Sequence, residues 1–597
     1  MKRPRTLQEL IHWLELGGGA RWVRLAAVLL LTLLVSLRVA WTQFQGPASE
    51  AVLVQADVGR QLARGEGFTT QVNYPQTAAV LEKRGQGFDA KQAYPELHQA
   101  PLYSLVIAAG LAVLPADAQA ALFNQPPVPP DGFRADYYLL GLNVVLLWLA
   151  AWLTFDLGRR LFEPRVGWVA ALGLLLSMPL WKQTVSVNGL PLLLVLSLAA
   201  FRGWWQWDEA VSSARKSAIG WAAALGGICG LLFLAEYSAG ALLPVVLAAA
   251  LWRLRAGNCW MSAGAMLGAC LLVTGPWMAR NLLLTGHPMA LAGQNVALKA
   301  GDSTAEPKQV RATLSAQAPS LDLNKLGNKT LTSLSDSLSS RIWSGGALWF
   351  TAFYIVGWFY RFRDPAAERL RWWFTLGLGV LILAQAVFNS GESQRLPVYY
   401  LAPLLIIFGA AFFFVLLGGN PLLAKWPRAA AGLLLVLQAV PLLHDLLEPR
   451  RLHFHYPPYF PGLFMGMGRD LESRGVQGRF GLMADVPAGV AWYGDQRVWA
   501  QPVTMRDFMA VSLEQPIGQL LLTPQTLDRP FFSELAANAG GDGARLTGLT
   551  RHGEWGGVYA GLLTGRMPRN FPLQAPQRLS ENLYVLFDPS LPPPRGK

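Results

Sequence analysis

Charge is what this 597-residue chain has least of: Asp, Glu, Lys and Arg make up only 15% of it. Soluble proteins carry about 25%. With 52% hydrophobic residues and a mean hydropathy of +0.30, most of this chain belongs in lipid. Cysteine is scarcer still. Cys229, Cys259 and Cys270 all fall in or beside apolar runs, so no disulfide framework follows and none of the usual zinc spacings is present. There is no GxxxxGK phosphate loop, no Rossmann glycine fingerprint and no HExxH. Internal repeats and long low-complexity tracts are also missing. Acidic residues are outnumbered, giving a net charge of +13. The basic residues sit in short clusters between apolar runs, which is the pattern of membrane topology and anionic lipid, not of nucleic-acid binding.

What is present is a series of apolar runs of about 20 residues, the length that crosses a bilayer. They lie near 22–42, 136–157, 166–182, 190–206, 217–235, 238–254, 257–276, 343–361, 370–389, 398–417 and 428–446. The run from Pro101 to Leu114 is shorter and in the range of interfacial or re-entrant segments. Charge decides its status. If it does not cross and the N-terminus is cytoplasmic, the clusters Arg159/Arg160/Arg165, Arg215/Lys216, Arg253/Arg255, Arg361/Arg363/Arg369/Arg371 and Lys425/Arg428 all fall inside. If it crosses, every cluster after the N-terminal one moves outside, against the positive-inside rule. Eleven spans with the C-terminus outside is the consistent solution. The N-terminal segment reads as a retained signal-anchor, and 23 Trp suit two interfacial belts.

Three outer regions result. The first loop, about 43–135, and the second, about 277–342, belong with the spans to a membrane unit of residues 1–446. The tail, 447–597, reads as a separate soluble α/β unit. GRFGLMADV, IGQLLLTP and ENLYVLFDP are its expected strands, and TMRDFMAVSLEQ and DRPFFSELAANA its helices. His453-x-His455 marks the neck of this unit, and such spacing alone is a weak metal signal.

The stretch Gln55–Phe68, QADVGRQLARGEGF, organises the rest. As a helix it stacks Val54, Val58 and Leu62 on one face and Asp57, Arg60 and Arg64 on another, and Gly65 and Gly67 then end it. That is the pattern of an amphipathic helix on a membrane surface, presenting a carboxylate. One reading makes Asp57 a catalytic base; the other pairs it with Arg60 on a wetted face. Ionisable groups near span ends add Glu236 in LAEYSAG, Arg280 in GPWMARN and Arg395 in NSGESQRLPVYYLAP.

QADVGRQLARGEGF, ELHQAPLYSLVIAAG, GPWMARNLLLTGHP and SQRLPVYYLAPLL together resemble the GT-C superfamily of integral-membrane glycosyltransferases, which includes bacterial aminoarabinose transferases, protein O-mannosyltransferases and oligosaccharyltransferases. The resemblance covers about residues 20–420. It implies a polytopic α-helical fold of about 11 transmembrane helices with a C-terminal extracytoplasmic α/β domain. It also implies inverting transfer of a sugar from a polyprenyl-phosphate donor to a lipid, glycan or protein acceptor. The expected setting is the outer face of the bacterial inner membrane, among its lipids. Asp57 takes the place of the base, Arg280 and Arg395 bind the donor phosphate, and Asn188, Glu236, His98 and Trp277 complete the candidate site. Asn188 stands where the family usually has a second acidic residue, and Glu236 where many relatives have arginine. The resemblance names no certain cofactor and leaves room for a divalent cation, Mg or Mn. A transporter or flippase of an anionic lipid-linked cargo, and a non-catalytic scaffold, remain the alternatives.

Overall fold

The computed structural model describes residues 19–597 apart from 87–91, 125–131, 254–258, 300–306, 391–394, 450–460, 524–557, the last three residues and short breaks of one to three residues between 214 and 582. The expected helix DRPFFSELAANA and the pair His453/His455 lie outside the described residues.

The chain is an α-helical integral membrane protein. Among the described residues, seven helices are long and apolar enough to cross a bilayer: Leu25–Gln43, Arg134–Leu161, Ala218–Ala235, Trp260–Thr285, Pro365–Phe388, Ala402–Gly419 and Pro427–Leu447. Three bent pairs bring the number to as many as ten. Pro164–Leu175 and Met178–Val185 meet at 52°, and Leu323–Ser344 and Trp349–Phe359 at 110°. Leu102–Ala112 and Ala116–Asn124 turn through 113°, with Pro115 at the break. Two further helices, Leu190–Ser212 and the apolar Tyr237–Trp252, fall on the remaining apolar runs.

The helix Glu50–Ala63 is not the wetted surface helix that its pattern suggests. Ser49 caps it by accepting from Val52 N at 3.4 Å, and Gly65 and Gly67 end it with φ of 82° and 77°. Nearly every residue between is buried, the charged ones included. One side packs on Leu102–Ala112, where a Cβ on Gly59 would come within 2.6 Å of Ile107. The other side meets Pro487–Gly494 of the tail. The polar face is therefore an internal interface, and the same 3.6-residue period serves water or protein equally well.

The tail contains strands β4 (Gly481–Ala484), β5 (Val498–Ala500), β6 (Ile517–Leu522), β7 (Gln574–Ser580) and β8 (Leu583–Phe587). The first loop supplies β1 (Thr69–Thr70), β2 (Val72–Asn73) and β3 (Tyr94–Pro95). One six-stranded sheet runs in the order β2-β5-β4-β6-β8-β7, so its edge strand comes from the first loop, parallel to β5. The tail is thus joined to residues 1–446 through a shared sheet, not set apart from them. Its helix Met505–Glu514 starts at Thr504, whose hydroxyl accepts from Asp507 N at 3.1 Å.

Candidate active site

Glu50–Ala63, the turn after Met178–Val185, the turn at Glu236, the second loop and the approach to Pro397–Tyr400 converge on a polar cavity of about 330 Å³. Its wall includes Gln55, His98, Asn188, Glu236, Arg311 and Arg395.

Arg395 and Glu236 meet on this wall, Nη1 to Oε2 at 3.6 Å. The guanidinium also donates from Nη1 to Ala235 O at 3.2 Å and from Nη2 to Gln55 Oε1 at 2.6 Å. Its fork is therefore aimed by two separate elements. Burial pushes the Glu236 carboxyl above the usual glutamate range, while Arg395 and the Ser238 hydroxyl pull the other way. His98 bonds through Nε2 to Thr77 Oγ1 at 3.2 Å. Burial, with Arg311 adding to it, keeps this imidazole neutral, its pKa well below the usual range.

Asn188 sits on a strained turn. Val187 before it holds φ at 57°, a region costly for a β-branched residue. Tyr103 OH donates to Val187 O at 2.7 Å, and Asn143 Nδ2 to Asn188 O at 2.9 Å. The Asn188 side chain is committed: Nδ2 donates to Gln183 Oε1 at 2.7 Å, and Oδ1 accepts from Leu190 N at 3.0 Å.

Three expected residues lie off the cavity wall. Asp57 is fully buried and accepts from Arg60 Nη2 at 2.7 Å, Thr70 Oγ1 at 3.0 Å and Gln71 N at 2.7 Å. Arg60 in turn donates to the carbonyls of Ala491 at 2.7 Å and Trp492 at 3.0 Å, capping the last turn of the tail helix. Through Arg60 this carboxylate ties the first loop to the tail, and it is not among the residues lining the cavity. Arg280 donates to the carbonyls of Phe68 at 3.2 Å and Glu96 at 3.3 Å, and its guanidinium lies over the rings of Phe68 and Trp277. It braces the first loop. Trp277 donates from Nε1 to Tyr237 OH at 2.9 Å, one layer behind the wall.

Arg311 is the cavity residue that sequence reasoning missed. It follows a stretch rich in Ser, Asp, Glu and Lys, with no apolar period to place it.

The residues present do not suit a divalent cation. Such an ion needs several hard oxygen ligands, whereas among the described residues Glu236 is the one carboxylate lining the cavity and it faces a guanidinium. Among the described residues, the group His444, Asp445 and Glu448 has ligand atoms close together. It lies outside the cavity wall, and Asp445 already pairs with Lys182 at 3.0 Å.

No family model and no curated protein sequence matches the chain. Solved structures do. The archaeal oligosaccharyltransferase AglB from Archaeoglobus fulgidus, in complex with an inhibitory peptide and a dolichol-phosphate, superposes with a TM-score of 0.54. It shares 11% identity, over 88% of this chain and 72% of that one. ArnT from Cupriavidus metallidurans, bound to undecaprenyl phosphate, gives a TM-score of 0.51 at 14% identity, over 96% of this chain and 99% of its own. Both are GT-C superfamily members. The chain has the GT-C fold. The likeness covers 88% and 96% of this chain, more than the motifs in residues 20–420.

Proposed function

We propose that this protein is a glycosyltransferase that moves a sugar from a polyprenyl-phosphate carrier to a lipid, glycan or protein acceptor. The observation that carries the reading is the meeting of Glu236 and Arg395 at 3.6 Å on the wall of a polar cavity. The two solved structures bound to polyprenyl or dolichol phosphate support the donor class.

The chemistry is one displacement at the anomeric carbon. The acceptor oxygen forms a bond to that carbon as the bond to the phosphate oxygen breaks, and the electron pair leaves with the phosphate. The acceptor proton goes to Glu236, a carboxylate whose raised basicity suits a general base. Arg395 stabilises the departing phosphate with charge-assisted hydrogen bonds, and Arg311 adds a second positive charge to the cavity wall. Donor binding also sharpens the base. A phosphate that takes up the charge of Arg395 weakens its pull on Glu236, so the carboxylate gains proton affinity when the acceptor must lose its proton. A single displacement inverts the anomeric centre.

Asp57, in this reading, orients Arg60, which holds the first loop to the tail, and Arg280 braces the same loop. The membrane unit 1–446 crosses the bacterial inner membrane eleven times, with the N-terminus cytoplasmic and the tail 447–597 outside. The test is incubation with lipid-linked sugar donors, following release of polyprenyl phosphate. Failure to release it from any donor, with acceptor lipids present, would remove the transferase reading.

A further inference from the structure

Arg311 closes a helix of five residues, Pro307–Arg311. A helix this short does not hold itself together in water, so the direction in which Arg311 points is set by bonds from outside. Two of them come from the tail and bracket the next residues. Val503 N donates to Ala312 O at 3.0 Å, and Asp507 Oδ2 accepts from Leu314 N at 3.0 Å. Asp507 is itself fixed. It sits in the first turn of Met505–Glu514, where the helix dipole favours its negative charge, and its own N–H is held by Thr504. Arg311 then lies with its guanidinium 5.8 Å from the centre of the Tyr74 ring and on the cavity wall.

We propose that Asp507 is a positioning residue: through Leu314 it ties the second loop to the tail and seats Arg311 in the cavity. The tail then acts as part of the frame of the site. It grips the first loop through Arg60 and β2, and the second through Ala312 and Leu314. The catalytic significance of this rests on the transferase reading; the seating itself does not.

The experiment has two readouts, and only one needs activity. In a chain whose three native cysteines are replaced, Arg311→Cys is reacted with a thiosulfonate reagent, with and without Asp507→Ala. Modification should be roughly tenfold faster without the carboxylate, about what the loss of one hydrogen bond to a charged acceptor is worth. Asp507→Asn keeps an acceptor oxygen and should restore most of the protection. Equal rates in all three backgrounds would overturn the proposal, whatever the enzyme does. In the intact protein, Asp507→Ala should slow transfer, yet add nothing in an Arg311→Gln background, because both changes remove the same seated charge. Additive losses would assign Asp507 a separate structural role and also overturn it. If no lipid-linked donor is used at all, the transferase reading fails while the modification rates still decide the seating.

Discussion

Arg395 holds Gln55 with one arm of its guanidinium and faces Glu236 with the other, at 2.6 and 3.6 Å. The first-loop helix, the turn between two apolar helices and the approach to Pro397–Tyr400 thus meet at a single cation. A shift in any one of them is felt at the carboxylate.

Glu236→Gln should fold normally and lose about 10²–10⁴-fold in transfer rate, the usual value of a general base. A base works only when deprotonated, so wild-type kcat/KM should fall as pH drops through the raised Glu236 pKa. That acid limb should lie above the ordinary glutamate range and vanish in the glutamine variant. A limb at the ordinary carboxylate position, or one that survives the substitution, would move the base elsewhere.

Asp57→Asn should act on stability first. It removes the nearer of the two acidic partners of the buried Arg60 and leaves Asp495 at 3.4 Å, so the loss should stay below the ~3–5 kcal/mol of a fully broken buried pair. A lower melting temperature and faster proteolysis of the tail are expected, with activity tracking the folded fraction. A variant with wild-type melting and no transfer would return Asp57 to the role of base.

Arg395→Lys and Arg280→Lys should separate cleanly. Lysine lacks the planar fork, so loss of a charge-assisted bond at position 395 should cost roughly 1.5–3 kcal/mol, or about 10- to 150-fold in donor use. Arg280 bonds main-chain carbonyls instead, and its variant should lower the melting temperature with little change in donor selectivity. Donor titrations of purified protein in lipid nanodiscs measure both.

Chelation should leave transfer unchanged, because among the described residues the cavity offers one carboxylate, which already faces Arg395. Activity in EDTA against activity with added Mg or Mn decides this. Loss with EDTA and recovery with either ion would require ligands other than those on the cavity wall.

Topology is open to labelling. In a cysteine-free chain, Leu513→Cys, on the tail and 86% exposed, should react with a membrane-impermeant thiol reagent from outside. Trp426→Cys, beside Lys425 and Arg428 and 71% exposed, should react only after the membrane is opened. The reverse pattern would invert the eleven-span arrangement.

The sequence makes the membrane architecture legible because lipid imposes a strong, local rule of about 20 apolar residues. Between Leu102–Ala112 and Ala116–Asn124 the chain turns through 113°, the geometry of a broken span or a re-entrant loop. Glu236 and Arg395, both on the cavity wall, were readable because ionisable groups at span ends are few and conspicuous; Asn188 and His98 came through the family resemblance. Asp57 and Arg280 were just as conspicuous, but a pattern cannot say what a charge faces. Apart from Arg60, which the spacing itself offered to Asp57, their partners include backbone carbonyls, a hydroxyl and a backbone N–H, which leave no mark on composition. Arg311 was invisible because tertiary bonds alone place it.

Arg60 and the Trp492 carbonyl it caps are 432 residues apart in the chain. At synthesis rates of about 5–20 residues per second, that separation is roughly 20–90 s of translation. The first-loop helix is therefore made long before the helix it caps, and β2 waits as an unpaired strand edge over the same interval. Premature termination, or a variant that slows tail folding, would leave a buried-type ion pair and a bare edge facing the aqueous side of the membrane. Such an edge is open to pairing with other chains. The same feature that rigidifies the finished cavity makes the nascent protein a natural client for chaperones and surveillance proteases outside the bilayer.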